Sequence, residues 1–335
     1  MYKNKIFIIA EAGVNHNGSI KIAKKLIDEA KIAGADAIKF QTFNTNELVS
    51  VKAKKMSHQA AASSKHSQFE ILKRLELKKA DHFKLIKYCK IKKIKFLSSA
   101  FDLESLDFLK KLNLHAYKIP SSELNNIPFL KKVAKLKKYI LLSTGMAFMK
   151  EVKEAIKILI KNGTKKNKII LMHCTSQYPA DNKYLNLNVL KTFKREINLK
   201  LGYSDHSKGL VIPTTLASHN LQVFEKHFTL SKKMKGPDHN ASLEPNELKE
   251  MINNIRLVEK SMGSYIKKPQ VGEIEHRKLG RKSIVAKILI RKGDFFSKKN
   301  ITLKRPGTGL SPIFFEKIIG KKSKREFKKD DLIKV

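Results

Sequence analysis

Short apolar runs of β-prone residues recur along the chain, and each stops in polar side chains before a longer amphipathic, lysine-rich stretch takes over. The runs fall at 6–10, 37–41, 95–98, 116–119, 139–142, 169–173, 200–202 and 223–227. Eight such units in succession predict a closed (β/α)8 TIM barrel rather than an open sheet. The runs are almost continuously apolar, as parallel strands covered on both faces should be. Between them, 20–33 sets Ile22, Leu26, Ala30 and Ala33 on one helical face and stops at Gly34. Likewise 151–161 turns Val152, Ile156 and Leu159 inward and stops at Asn162-Gly163. A further helix begins near Pro245, where proline is tolerated, and runs through Arg256. Asn220 stands just before the last run, where a left-handed residue suits.

Two places depart from this rhythm. The segment 43–68, rich in Ala, Ser, His and Lys, is over-long for a connection and reads equally as a lid over the barrel mouth or as decoration. After Met262-Gly263-Ser264 the repeat ceases, and short strands such as 283–286 alternate with turn words such as Lys292-Gly293-Asp294. The expected organisation is a barrel over 1–265, a linker over 266–280 and a small β-rich domain over 281–335.

Charge adds little to this picture. Seventy Lys and Arg against thirty Asp and Glu give a formal +40, which taken alone suggests a basic nucleic-acid-binding protein or a membrane-surface protein. The lysines are spread over the whole chain, and no zinc-finger spacing, RNA-recognition signature or aromatic-interleaved basic stretch accompanies them. They read better as solvated helix faces, with no nucleic-acid or membrane partner. Cys89 and Cys174 have no ligand spacing, which points to a reducing cytoplasm. The N-terminal apolar run meets Glu11 after five residues, too soon for a signal peptide or membrane span.

The chemistry gathers where the runs end, because a barrel builds its site from the C-terminal ends of its strands. Leu201-Gly202-Tyr203-Ser204-Asp205-His206 ends in a histidine, and His227 follows twenty-one residues later in Val223-Phe224-Glu225-Lys226-His227-Phe228. That interval is one βα unit with its next strand, so the two imidazoles belong at the same end of neighbouring strands. The other ends supply Glu11, Lys39 with Gln41, Ser98 with Ser99, Lys118 with Ser121 and Glu123, Ser143 with Thr144, and His173 with Thr175 and Ser176. Lysines and hydroxyls suit a phosphate and a carboxylate. Two neutral imidazoles suit a divalent metal with open positions, and a carboxylate such as Glu123 can take a proton from water. A histidine alone is most often a packed or surface residue, and His58, His66, His82 and His115 are read so. The same ring also admits an aldolase with Lys118 or Lys39 as Schiff-base nucleophile.

Several words carry a closer likeness: Glu11-Ala12-Gly13-Val14-Asn15-His16-Asn17-Gly18, Lys39-Phe40-Gln41-Thr42, Tyr117-Lys118-Ile119-Pro120-Ser121-Ser122-Glu123, Ser204-Asp205-His206, Glu225-Lys226-His227-Phe228-Thr229, Gly236-Pro237-Asp238 and Lys304-Arg305-Pro306-Gly307. In order and spacing the chain resembles the sialic acid synthase family from end to end, and its tail resembles the antifreeze-like (SAF, β-clip) domain of these enzymes. The resemblance implies condensation of phosphoenolpyruvate with an N-acylated mannosamine-type sugar, giving a nonulosonic acid and phosphate. It implies that His206 and His227 hold manganese, with magnesium or cobalt as alternatives. By the same carry-over Lys39, Lys118, Ser99, Ser121, Ser143 and Ser204 hold phosphoenolpyruvate. Glu123 helps water attack, and Glu11, Tyr178 and Asp238 line the sugar site, Glu11 also acting in catalysis. The small domain is expected to cross over in a homodimer, so that Arg305 contacts the sugar's acyl group in a neighbour's site. Ala100, Ser122 and Ser176 depart from the family's usual proline, glycine and asparagine. The words at 236–245 and Arg281-Lys282-Ser283 are nearer the legionaminic than the neuraminic branch.

Overall fold

Hydrogen bonding joins eight parallel strands in chain order: β1 (Phe7–Gly13), β2 (Ala37–Thr42), β3 (Lys95–Ala100), β4 (Ala116–Ile119), β5 (Tyr139–Ser143), β6 (Ile169–His173), β7 (Lys200–Asp205) and β8 (Val223–His227). β8 pairs back onto β1 with Glu11 opposite His227, which closes the barrel. These observations come from a computed structural model that describes residues 5–55 and 66–334.

The twofold alternation along each strand sorts the residues into layers. Outward residues such as Ile8, Ile38, Phe40, Leu142, Leu171 and Phe224 pack against the helices. Inward residues Phe7, Ile9, Ala37, Leu97, Ala116, Leu141, Ile170, Met172 and Val223 form a separate apolar plug low in the lumen. Two residues further along, the inward position turns polar. Ile9 leads to Glu11, Ala37 to Lys39, Leu97 to Ser99, Ala116 to Lys118, Leu141 to Ser143, and Val223 to Glu225 and then His227.

Several strands run further than their apolar residues suggest. β1 continues to Gly13, β3 to Ala100 and β7 to Asp205. Polar side chains facing a lumen do not interrupt backbone pairing, so the ladders persist through Thr42 with Ala100 and Asp205 with Lys226. Ala100 is thus held in a strand. The helix Ile20–Ala33 is capped by the Ser19 hydroxyl and stopped by Gly34 at φ +92. The helix Pro245–Ser261 runs five residues beyond Arg256, because Val258 still packs on the core. Asn220 takes φ +53, as its position suggests.

Where the long insertion ends, the helix Gln68–Leu75 starts at a reciprocal Ser67–Glu70 cap. Phe43, Leu75 and Val14 form a small apolar cluster with Leu48, Ile71, Leu72 and Phe101 packed on it. Residues 56–65 of the expected lid, with His58, lie outside the described residues. His82 is buried and bonded to the Thr42 hydroxyl at 2.8 Å, a core histidine as expected, and His115 is exposed.

The chain divides into two compact units, Met1–Gly263 and Ser264–Val335. In the second, β9 (Ser283–Ala286) pairs antiparallel with β10 (Ile301–Lys304). Ile284, Ile290, Phe296, Ile301, Ile318, Phe327 and Ile333 form its core. The stretch expected as a linker contains the exposed helix Glu273–Gly280. No helix among the described residues is long and apolar enough to cross a membrane.

Candidate active site

A cavity opens at the C-terminal mouth of the barrel. Eleven of the thirteen residues singled out from the sequence line it: Glu11, Lys39, Ser99, Lys118, Ser121, Ser143, Tyr178, Ser204, His206, His227 and Asp238. Gln41, Ser122, Cys174, Ser176 and Glu225 complete its polar wall, and Val14, Leu72, Phe101, Pro120, Met146 and Pro237 its apolar one.

The floor is an alternating network of carboxylates and ammonium groups. Lys39 Nζ lies 2.8 Å from Glu11 Oε2 and 3.6 Å from Glu225 Oε2, and it donates to Ser99 Oγ at 3.0 Å. Lys118 Nζ and Ser204 Oγ both donate to Glu225 Oε1, at 2.7 and 2.9 Å. Burial alone would raise Glu225, but Lys118 and Lys39 outweigh it and hold the carboxyl below its ordinary range. Glu11 goes the other way: burial, aided by repulsion from Glu225 and opposed by Lys39, pushes it up to about 7. Burial opposes the charge on Lys39, but Glu11 and Glu225 overcome it and raise its pKa. Two ammonium groups thus face Glu225, held in its charged form, and Glu11, whose charge burial disfavours, a balance that suits an anion.

Hydroxyls surround these cations. Ser143 Oγ is buried without a hydrogen-bond partner among the described residues. Ser121 Oγ accepts the Gly145 N–H at 3.0 Å and lies 3.3 Å from Cys174 Sγ. A Cβ at Gly145 would stand 2.2 Å from Ser176 Oγ and 2.9 Å from Ser121 Oγ, so only glycine admits both hydroxyls.

His206 and His227 face each other with ring centroids 5.5 Å apart. His206 Nδ1 sits 2.6 Å from the Thr175 carbonyl, so Nδ1–H donates and Nε2 carries the lone pair. Nδ1 of His227 is buried with no hydrogen-bond partner among the described residues, 3.9 Å from Asp238 Oδ2. Burial pushes His206 down to about 4; it also holds His227 well below its usual value, with His206 adding to the effect. Both rings are therefore neutral donors at physiological pH, one of them orphaned, and this donor set fits a divalent metal. Among the described residues no group of three or more His, Cys, Asp or Glu is placed to hold a metal ion, so the two rings are the only protein donors of these types there. The Tyr178 ring packs on His206 at 4.2 Å and perpendicular to His227 at 5.6 Å. Burial pushes Asp238 up to about 6.

One residue expected at this mouth stands elsewhere. Glu123 does not line the cavity. It ends the 3-10 turn Ser121–Glu123, and its Oε2 accepts the Asn126 side-chain N–H at 2.7 Å, steadying the residue that caps the helix Ile127–Ala134. Arg305 belongs to the second unit, directly after β10. Of the other strand-end residues, His173 gives its Nε2 to the Leu185 carbonyl at 2.8 Å, and Ser98 bonds to the Phe40 carbonyl at 3.1 Å. Thr144 bonds to the Met172 carbonyl at 2.9 Å, and none of the three lines the cavity. Glu225, a strand-end residue two positions before His227 and so on the same face, is the hub of the floor, although the family resemblance assigns it no role.

Residues 26–267 match the NeuB family and residues 281–334 the SAF domain. The chain is 47% identical to N,N'-diacetyllegionaminic acid synthase of Campylobacter jejuni, over 98% of this chain and 99% of that protein. It is 42% identical to the enzyme of that name from Legionella pneumophila, over 94% and 89% respectively. Among solved structures, N-acetylneuraminic acid synthetase from Leptospira borgpetersenii superposes with a TM-score of 0.72 at 33% identity, covering 82% of this chain and 90% of that one. Barrel, mouth and likeness agree: this chain belongs to the NeuB family of nonulosonic acid synthases and carries a SAF domain at its C-terminal end.

Proposed function

We propose that the chain condenses phosphoenolpyruvate with an N-acylated mannosamine-type sugar to give a nonulosonic acid and phosphate. The observation that carries the reading is the meeting, in one cavity, of two neutral imidazoles and a lysine–carboxylate floor ringed by serines. Lys39 and Lys118 neutralise the phosphate and carboxylate of phosphoenolpyruvate, while Ser99, Ser121, Ser143 and Ser204 fix its orientation. A divalent cation on His206 and His227, Mn2+ in this reading and Mg2+ or Co2+ as alternatives, supplies Lewis-acid polarisation of the open-chain sugar's aldehyde. Carbon–carbon bonding then joins the phosphoenolpyruvate methylene to that carbonyl carbon, the aldehyde oxygen gains a proton, and water adds at the cationic carbon. Cleavage of the bond from that carbon to the phosphate oxygen leaves the 2-keto acid. Glu11, pushed up to about 7, is the wall carboxyl able to exchange the water's proton near neutral pH, the part that the family resemblance gives to Glu123, which does not line the cavity. Tyr178 and Asp238 receive the sugar hydroxyls.

Two observations support 2,4-diacetamido-2,4,6-trideoxymannose over N-acetylmannosamine as the sugar: the likeness to legionaminic acid synthases and the apolar wall of Val14, Leu72 and Phe101, which suits a methyl group better than a hydroxyl. We read the active species as a homodimer in which Arg305 serves a neighbour's sugar site, an expectation carried by the family resemblance. Two free thiols, Cys89 and Cys174, support a cytoplasmic setting. The aldolase reading is disfavoured because Lys118 and Lys39 are ion-paired rather than free to attack as amines. The test is phosphate release from phosphoenolpyruvate with Mn2+ and either sugar. The deoxy sugar should give the higher kcat/KM, by about 10-fold or more; turnover of neither sugar would overturn the proposal.

A further inference from the structure

The seventh and eighth strands share a last rung, on which Asp205 and Lys226 are direct partners. Their side chains are both 0% exposed. They point away from the lumen, because the residues flanking them, Ser204 and His206 on one strand and Glu225 and His227 on the other, line the cavity. Lys226 Nζ donates to Asp205 Oδ2 at 2.6 Å and also to the carbonyl of Ser207. Asp205 Oδ1 in turn accepts the Ser207 N–H at 2.9 Å and its hydroxyl at 2.7 Å.

Burying an ion pair this completely costs desolvation that an apolar pair of equal volume would avoid. An apolar pair could not bind Ser207 at its N–H, hydroxyl and carbonyl together. The turn after His206 is further tied by the Ala180 N–H on the His206 carbonyl at 2.8 Å. His227 is anchored by the Leu243 N–H on its carbonyl at 2.8 Å, and β8 continues into a Phe228 N–H bond to the Glu11 carbonyl, also 2.8 Å. Beside the strand pairing and the Ser204–Glu225 bond on the lumen side, the Asp205–Lys226 pair ties the two histidine-bearing ends together on the outer face.

We propose that Asp205 and Lys226 are positioning residues that hold the rings of His206 and His227 at the separation from which both reach one divalent cation. Neither touches the cation. The inference rests on the reading of the two histidines as ligands.

The test is a titration of metal-stripped full-length protein with Mn2+, reading free aqueous Mn2+ by electron paramagnetic resonance. The doubly neutral variant Asp205→Asn/Lys226→Met removes the latch without leaving one charge buried alone. Ser207→Ala, a milder change, removes only the hydroxyl bond to Asp205. The Mn2+ dissociation constant should rise by about 10- to 100-fold in the double variant, and several-fold in Ser207→Ala. Turnover should recover toward the wild-type rate at saturating Mn2+, a rescue that general damage to the fold would not allow. Wild-type affinity, within about twofold, in whichever of these variants is folded by circular dichroism would overturn the inference. Wild-type protein that takes up no Mn2+ would instead overturn the ligand reading beneath it.

Discussion

At the scale of single residues, the site works by forcing buried groups away from their ordinary charge states. His206 is neutral because burial denies it a proton, and its Thr175 partner then decides which nitrogen keeps the lone pair. Outside the cavity His16 shows the same physics. It is fully buried, its Nδ1 accepts the Gly18 N–H at 3.0 Å, and burial, with some repulsion from His82, pushes it down to about 4. A histidine in the unfolded chain titrates near 6.5. Protons therefore bind the unfolded chain first, so the contribution of His16 to stability is full above about pH 6.5 and is lost as pH falls toward about 4. His16→Gln keeps an acceptor for Gly18 but cannot titrate. Thermal unfolding followed from pH 7.5 to 5 should show the wild type losing several degrees more than the variant. Because both proteins share Glu11 and Asp238, whose raised carboxyl groups act in the opposite sense, the difference isolates His16.

At the scale of elements, the strands were legible because the apolar runs that fill both faces of a parallel sheet are also the residues that recur in the sequence. Their C-terminal limits were not, since Ser99, Ala100, Ser204 and Asp205 look like loop residues in sequence yet still pair in the ladder. Much of the site, Glu225 at its strand end included, followed once the strands were placed, because a barrel carries its chemistry where the strands end. Glu123 could not be judged that way: it lies beyond its strand, in a 3-10 turn whose direction no periodicity reveals. The insertion after β2 was ambiguous for a related reason, as its order comes from contacts with Val14 and Phe101, distant in sequence. The helix Gln68–Leu75 presents Leu72 to the cavity beside those two residues. Leu72→Asn should therefore narrow the kcat/KM preference for the 6-deoxy over the 6-hydroxy sugar by about 10-fold, measured by phosphate release. An unchanged ratio would remove this wall from the account of sugar choice.

At the scale of the whole molecule, composition said little and topology nearly everything. The formal +40 invited a nucleic-acid reading, yet among the described residues only Lys39, Lys118 and Lys226 are buried; the other lysines lie partly or fully in solvent. Those three buried lysines each face a buried carboxylate: two on the cavity floor and one in the latch behind the histidines. The second unit has a core of its own around Ile284, Phe296 and Phe327, and its turn-rich texture announced a separate domain. The helix Glu273–Gly280 was missed because its residues are exposed and carry no apolar face to recognise.

The central claim is that His206 and His227 share one divalent cation beside a lysine-lined anion site. Its most direct test is phosphate release from phosphoenolpyruvate and the deoxy sugar by protein stripped with chelator, then resupplied with Mn2+, alongside His206→Ala and His227→Ala. The account predicts no release from the stripped protein, recovery on adding Mn2+, and a loss greater than about 100-fold in each folded variant. Full turnover by the stripped protein, or by either variant, would contradict it.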